Sequence, residues 1–393
     1  MRIKPNQNSV VYKKIRNIVR WYTFNKINKS YYHTDEHIVV IESDDWGSIR
    51  VPSKETMEQL STSGDSPIQD PFLKVDCLES SEDLHALCKM LLNVVDKDGR
   101  PAVITANFAM ANADFEKIKS TKQYHREIFT DTYQRYYGDN TILEDIKKYL
   151  DSQVFVPQLH CLEHLNVNQW MRDLEIQKKD TVMALDNHMY GVSATFSPYN
   201  PFGYMDAFNY SYAEERADLA ERLMLASEWF EEIFGQKSES FVASCHVWDD
   251  YLEQALSDLG IYHIQSRHVQ VLPSYYSKKN NKRRKKYRRM AEQKENGIFY
   301  TIRNCEFEPS IYGSIERAQT RCMLQVENAF HNRVPAIISS HRLNYVGGID
   351  RVNRDCNLAA LEQLLRDILA KYPDVVFMSS DALGRKMFGN CHE

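Results

Sequence analysis

The chain has 393 residues, 43% of them hydrophobic and 11% aromatic, and a net charge of −5. That is apolar material for one large core, or for a core with an accessory lobe. A mean hydropathy of −0.53 and the lack of any apolar run near ~18 residues predict no membrane-spanning helix, and the overall acidity speaks against general nucleic-acid binding.

The first 30 residues carry eight Lys/Arg and no Asp/Glu. Val11, Ile15, Ile18, Val19 and Tyr22 recur at helical spacing, with Lys14, Arg16 and Arg20 off that face. This predicts a basic amphipathic helix within an N-terminal segment, residues 1–33. Such a helix packs on the body of the protein or touches a membrane surface. No uninterrupted apolar core and cleavage site follow it, so the expected location is cytoplasmic, or peripheral at the inner membrane face. The eight cysteines are scattered and form no C-x-x-C pair. A cysteine zinc site or disulfide framework is therefore not expected, and reduced thiols fit the cytoplasm.

From residue 34 to residue 390 strand-like and helix-like segments alternate. Apolar, β-branched runs predict strands over 37–43, 101–108, 154–160, 240–248, 261–266, 335–341 and 375–380. Amphipathic stretches predict helices between them, the first opened by a serine N-cap and early acids at "SSEDLHALCKMLLNVV". Helices alternating with continuous apolar strands imply a parallel sheet covered by helices, closed as a barrel or open and doubly wound. No G-x-G-x-x-G or G-x-x-x-x-G-K-[ST] fingerprint is present. A basic loop is expected over 275–295, around "KKNNKRRKKYRR", as a mobile, solvated segment. Two further insertions, 109–140 and 188–210, are rich in aromatic residues. These suit either ordinary packing or a platform for sugar rings.

Chemistry collects at the C-terminal ends of parallel strands. Asp44 and Asp45 end the first strand, His160 ends the third and His164 follows four residues later, His246 lies near the end of the fourth, and His341 ends the sixth. If a helical turn starts at His160, the two imidazoles at i and i+4 face one way. Two imidazoles and one carboxylate, with water in the open positions, make a hydrolytic metal site. The second aspartate then stays off the metal and acts as a base on water. An aspartate pair before Trp-Gly could instead cap a turn.

In order, "ESDDWGS", "PQLHCLEH", "FVASCHVWDDYLEQALSDLGI" and "AIISSH" resemble the motifs of the polysaccharide deacetylase (NodB-homology) family, over about residues 37–385. The resemblance implies a distorted (β/α)7-type barrel with large loop insertions. It implies Asp44 as general base, Asp45, His160 and His164 as metal ligands, and His341 as general acid. The metal it implies is zinc first, with cobalt, nickel or another divalent ion as alternatives. Several positions depart from the family's pattern. Trp46 displaces Gly47, and Cys161 stands where Ser or Thr is usual. The third motif lacks its arginine, reading Val242, Ala243, Ser244, Cys245, His246. No fourth motif is evident; Asp381, after the last strand, either tunes His341 or caps the segment "ALGRKMF". His246, Trp248, Trp46 and Ser244 are the candidate substrate-facing residues.

The expected function is a metal-dependent hydrolase that removes an N- or O-acetyl group from a sugar or glycan intermediate. A phosphate-bearing substrate is compatible with the basic loop. Two rivals stand beside it. One is a glycosidase on a related barrel, with Glu163 or Asp249 as second carboxylate. The other is a catalytically degenerate carbohydrate-binding protein. No specific nucleic-acid partner is expected.

Overall fold

The computed structural model describes residues 21–63, 70–192, 202–277 and 283–389. Most of the predicted amphipathic helix, residues 1–20, lies outside the described residues.

Strand β1 (Ile38–Trp46) is buried along its whole length. It pairs in parallel with β11 (Ala336–His341) on one side and with β2 (Ile104–Ala113) on the other. Beyond β2 follow β4 (Phe155–Glu163), β5 (Ser240–Phe241), β6 (His263–Ser266) and β9 (Phe299–Ile302), and beyond β11 lies β10 (Cys305–Glu306). Only Arg303 and Asn304 separate β9 from β10, so the two ends of the sheet meet in one broken strand. The sheet curls into an α/β barrel. Two short strands, β3 (Arg126–Ile128) and β12 (Val376–Met378), attach to β2 and β1. Strands covered on both faces have no polar side to present, which is why they read as continuous apolar runs. The helices over 81–92, 141–151, 215–234, 250–258, 315–331 and 351–371 match the amphipathic segments of the sequence. Ser80 closes the predicted cap reciprocally: its side chain accepts from the Asp83 amide, and Asp83 accepts from the Ser80 amide.

Two expectations change. The strand predicted over 240–248 lasts only two residues before a single turn at Ser244–His246. Cys245 and His246 both have positive φ there, 55° and 54°, a conformation that breaks a strand and re-aims the chain. The basic run is not simply a solvated loop. Lys285–Tyr287 form β8, antiparallel to β7 (Val269–Val271). Three of its described cations meet carboxylates of the protein, Arg283 with Asp206 at 3.6 Å, Lys286 with Asp250 at 2.8 Å and Arg288 with Glu253 at 3.0 Å, while Arg284 and Lys285 are exposed.

Gly47 secures the turn that follows β1. Its φ is +77°, and a Cβ there would sit 2.5 Å from the Ala109 carbonyl oxygen. Both the backbone conformation and the contact require glycine. Gly47→Ala is expected to cost at least about 1–3 kcal/mol, read as a lower urea midpoint at unchanged slope.

Candidate metal and catalytic centre

Adjacent residues of a regular strand point to opposite faces. In β1 the pairing with β2 slips: Ser43 opposes Ala106 and Trp46 opposes Phe108. Asp44 and Asp45 together therefore occupy the space of one residue, as a β-bulge. Asp45 has φ +78°, uncommon for a residue with a side chain and a mark of local strain. This bulge lets two consecutive carboxylates serve one site. The same device recurs in β4, where Phe108 opposes Leu159 and Ala109 opposes Cys161, leaving His160 as the extra residue. The strand runs on to Glu163 and His164 follows directly, so His160 and His164 converge across the bulged end of a strand, not across the helical turn expected from their spacing.

Asp45, His160 and His164 are all buried, and one ligand atom from each lies within 4.8 Å of the others. His160 Nε2 is 3.6 Å and His164 Nε2 3.1 Å from Asp45 Oδ1. His160 Nδ1–H donates to the Val242 carbonyl at 2.8 Å. With Nδ1–H committed to that carbonyl, Nε2 is the ring nitrogen turned toward Asp45, and it has no hydrogen-bond partner among the described residues. A divalent cation would satisfy both this nitrogen and the facing carboxylate oxygen. Burial holds His164 neutral by lowering its pKa. Burial pushes Asp45 up, but His164, His160 and Arg50 together hold it well below the usual carboxylate range. Two buried imidazoles and an ionised carboxylate are a fitting donor set for a divalent metal. Arg50 approaches the other carboxylate oxygen of Asp45 at 3.4 Å and Asp76 at 3.6 Å, fixing the ligand from behind.

Asp44 lies beside this set but is held by different groups. Arg303, in the break between β9 and β10, donates to Asp44 Oδ2 at 2.5 Å, to Asp44 Oδ1 at 2.7 Å and to Glu42 at 2.6 Å. Asn107 donates to Asp44 Oδ1 at 2.8 Å. Burial alone would raise the Asp44 pKa, yet Arg303 foremost drives it far below the normal range. His341 Nε2 stands 4.0 Å from Asp44 Oδ2, and its Nδ1–H donates to Glu308 at 2.5 Å. Burial opposes the imidazolium, but Glu308, with Asp45 and Asp44, lifts its pKa to about 9. Asn344 holds the second Glu308 oxygen at 2.7 Å. Glu308 takes the place considered for Asp381, which pairs with Arg385 at 2.9 Å on its own helix.

The other candidates divide. His246 lies within the field of Asp44, His160 and Arg303. Trp46 is wholly buried against Phe155 and Phe108. Trp248 is equally buried and donates to Glu253 at 2.8 Å. Ser244 is buried with no hydrogen-bond partner for its hydroxyl. The described aromatics of the two insertions are largely packing groups, including Phe129, Tyr133, Tyr190 and Phe208. Phe72 instead edges His341 at 5.3 Å and lies under Arg50 at 4.9 Å. Neither carboxylate considered for a glycosidase is free. Glu163 pairs with Arg126 at 2.5 Å, and Asp249 accepts from Tyr210 at 2.5 Å and Tyr276 at 3.0 Å.

No protein-family model and no curated protein matches the chain. Solved structures do resemble it. A probable polysaccharide deacetylase from Pseudomonas aeruginosa is 12% identical with a TM-score of 0.43, over 89% of this chain and 91% of that one. Puue allantoinase is 11% identical with a TM-score of 0.43, over 91% and 93%. A 4-alpha-glucanotransferase from Thermococcus litoralis is 8% identical with a TM-score of 0.45, over 89% of this chain. The chain spans 40% of that glucanotransferase's length.

Proposed function

We propose that this protein is a metal-dependent hydrolase that removes an N- or O-acetyl group from a sugar or glycan intermediate. One observation carries the reading: buried His160 Nε2 is turned toward Asp45 Oδ1 at 3.6 Å while its Nδ1–H is committed to the Val242 carbonyl, with His164 Nε2 on the same oxygen at 3.1 Å. Asp45, His160 and His164 would hold a divalent cation, zinc first by donor type, with cobalt or nickel as alternatives. When bound, the cation supplies Lewis acidity toward a carbonyl and acidifies water.

The chain's own groups then divide the work. Asp44 is the base. Its low pKa keeps it ionised, and the Arg303 fork fixes which carboxylate edge turns inward. His341 is the acid. A pKa of about 9 keeps it protonated at neutral pH, ready to give its Nε2 proton to a departing amine or alkoxide. Glu308 orients that ring through Nδ1. Phe72 offers an aromatic face beside His341 for the apolar side of a sugar ring.

The test is acetate release from a panel of acetylated sugars by metal-loaded and chelator-stripped protein. Metal-dependent release supports the reading. Release of reducing ends in place of acetate would replace it with the glycosidase.

Glu308→Gln provides an independent check. Losing the carboxylate removes the largest influence that raises His341. The imidazolium must stay protonated to act, so activity falls as pH rises through its pKa. The alkaline limb is expected to move down by about one pH unit or more, with the acid limb unchanged.

A further inference from the structure

The arginines around the barrel mouth are matched unequally. Arg303 meets Asp44 and Glu42, Arg50 meets Asp45 and Asp76, and Arg342 meets Asp76 and Glu79. Arg267, directly after β6, differs. Among the described residues its guanidinium reaches only Ser339 Oγ at 3.5 Å and Glu306 at 3.9 Å, and 42% of its side chain is open to solvent. Glu306 is already engaged, accepting from the Tyr312 hydroxyl and lying 3.5 Å from Arg321. Arg321 Nε is buried with no hydrogen-bond partner among the described residues. Two guanidiniums therefore approach one carboxylate.

This notch adjoins the acid side of the centre. Ser339 and Glu306 stand opposite one another in the β10–β11 pairing, and Ser339 also opposes Glu42 of β1. Two residues further along the chain from each come His341 and Glu308, which are themselves joined at 2.5 Å. After burial, the Arg267 charge is the largest influence disfavouring the His246 imidazolium, so its field reaches into the mouth.

We propose that Arg267, backed by Arg321 across Glu306, receives an oxyanion substituent of the substrate, a carboxylate or a phosphate. A guanidinium presents a planar fork of N–H donors that fits either group, and one added negative charge balances the notch. The inference rests on the proposed deacylation only for what is cut, not for where the anion sits.

The test is calorimetric titration of the full chain with inorganic phosphate, in wild type, Arg267→Gln, Arg267→Lys and Asp45→Asn. The expected result is binding in wild type, at least about tenfold weaker in Arg267→Gln, partly kept in Arg267→Lys and kept in Asp45→Asn. No binding in wild type, or binding that survives Arg267→Gln, overturns the proposal. Loss in Asp45→Asn with retention in Arg267→Gln overturns it too, by assigning phosphate to the metal ligands. Hydrolysis of an acetylated hexosamine, its 1-phosphate and its uronic acid then separates the sources. A rise in KM on Arg267→Gln confined to one charged substrate identifies the group. If phosphate binding depends on Arg267 while no acetylated sugar is cut, the anion site stands and the deacetylase reading fails.

Discussion

Asp45→Ala and His160→Ala are each expected to abolish stoichiometric binding of a divalent metal and, with it, hydrolysis. Three donors within 4.8 Å of one another form the whole protein ligand set among the described residues. Removing a supporting group around a metal typically costs about 10–100-fold in affinity, so removing a ligand should cost more than that. Lewis-acid stabilisation is worth several kcal/mol, hence about three powers of ten in rate. The fold should survive, because Asp45→Ala still leaves Arg50 paired with Asp76. Metal analysis beside a thermal melt makes the check. Stoichiometric metal in wild type, lost in both folded variants, is the expected outcome. A wild type that stays metal-free after exposure to zinc and cobalt ends the hydrolytic reading.

The clustering of these side chains was legible because parallel sheets gather reactive residues at strand ends, and His160, His341 and the aspartates all follow apolar runs. The mechanism of convergence was not legible. A sequence shows two aspartates in a row but not the bulge that brings both to one face, and H-x-x-x-H reads equally as a helix turn or as alternate residues of a strand. Arg303 escaped notice because its strand is broken: β9 and β10 are too short to read as one run, although "FYTIRN" ends in a charge like the others. Glu308 lay beyond reach for the same reason. Trp46 and Trp248 show the opposite error, in which nearness in sequence to the motifs suggested a pocket and apolar burial placed both in the core. Sequence displays the cations of the basic run but not Asp250 and Glu253, which come from elsewhere in the chain to meet Lys286 and Arg288.

Arg303→Met should be the most damaging single change outside the metal ligands. The arginine is 1% exposed and joins two buried carboxylates, Glu42 and Asp44. Breaking a buried pair costs about 3–5 kcal/mol, because the remaining charge stays desolvated. Here two such charges remain. The pH dependence should change with it. In wild type the Asp44 pKa is depressed, so its contribution is complete above the unfolded value near 3.8 and is lost as pH falls through the folded one. Without Arg303, burial raises Glu42 further above its usual range, where it already lies, and at Asp44 burial is opposed only by the weaker influence of His160 and His341. The folded variant then binds protons that the unfolded chain does not, and its deficit is greatest at neutral pH and shrinks on mild acidification. Urea denaturation at neutral and mildly acidic pH reads this directly. A Met variant within 1 kcal/mol of wild type at neutral pH would show that the pair carries none of this stability. The double variant Asp44→Asn, Arg303→Met separates structure from chemistry. Neutralising Asp44 removes one of the two stranded charges, so stability should partly return while acetate release stays absent, since the base itself is gone. Recovery of both would remove Asp44 from the mechanism, and recovery of neither would place the damage in the barrel closure that Arg303 spans.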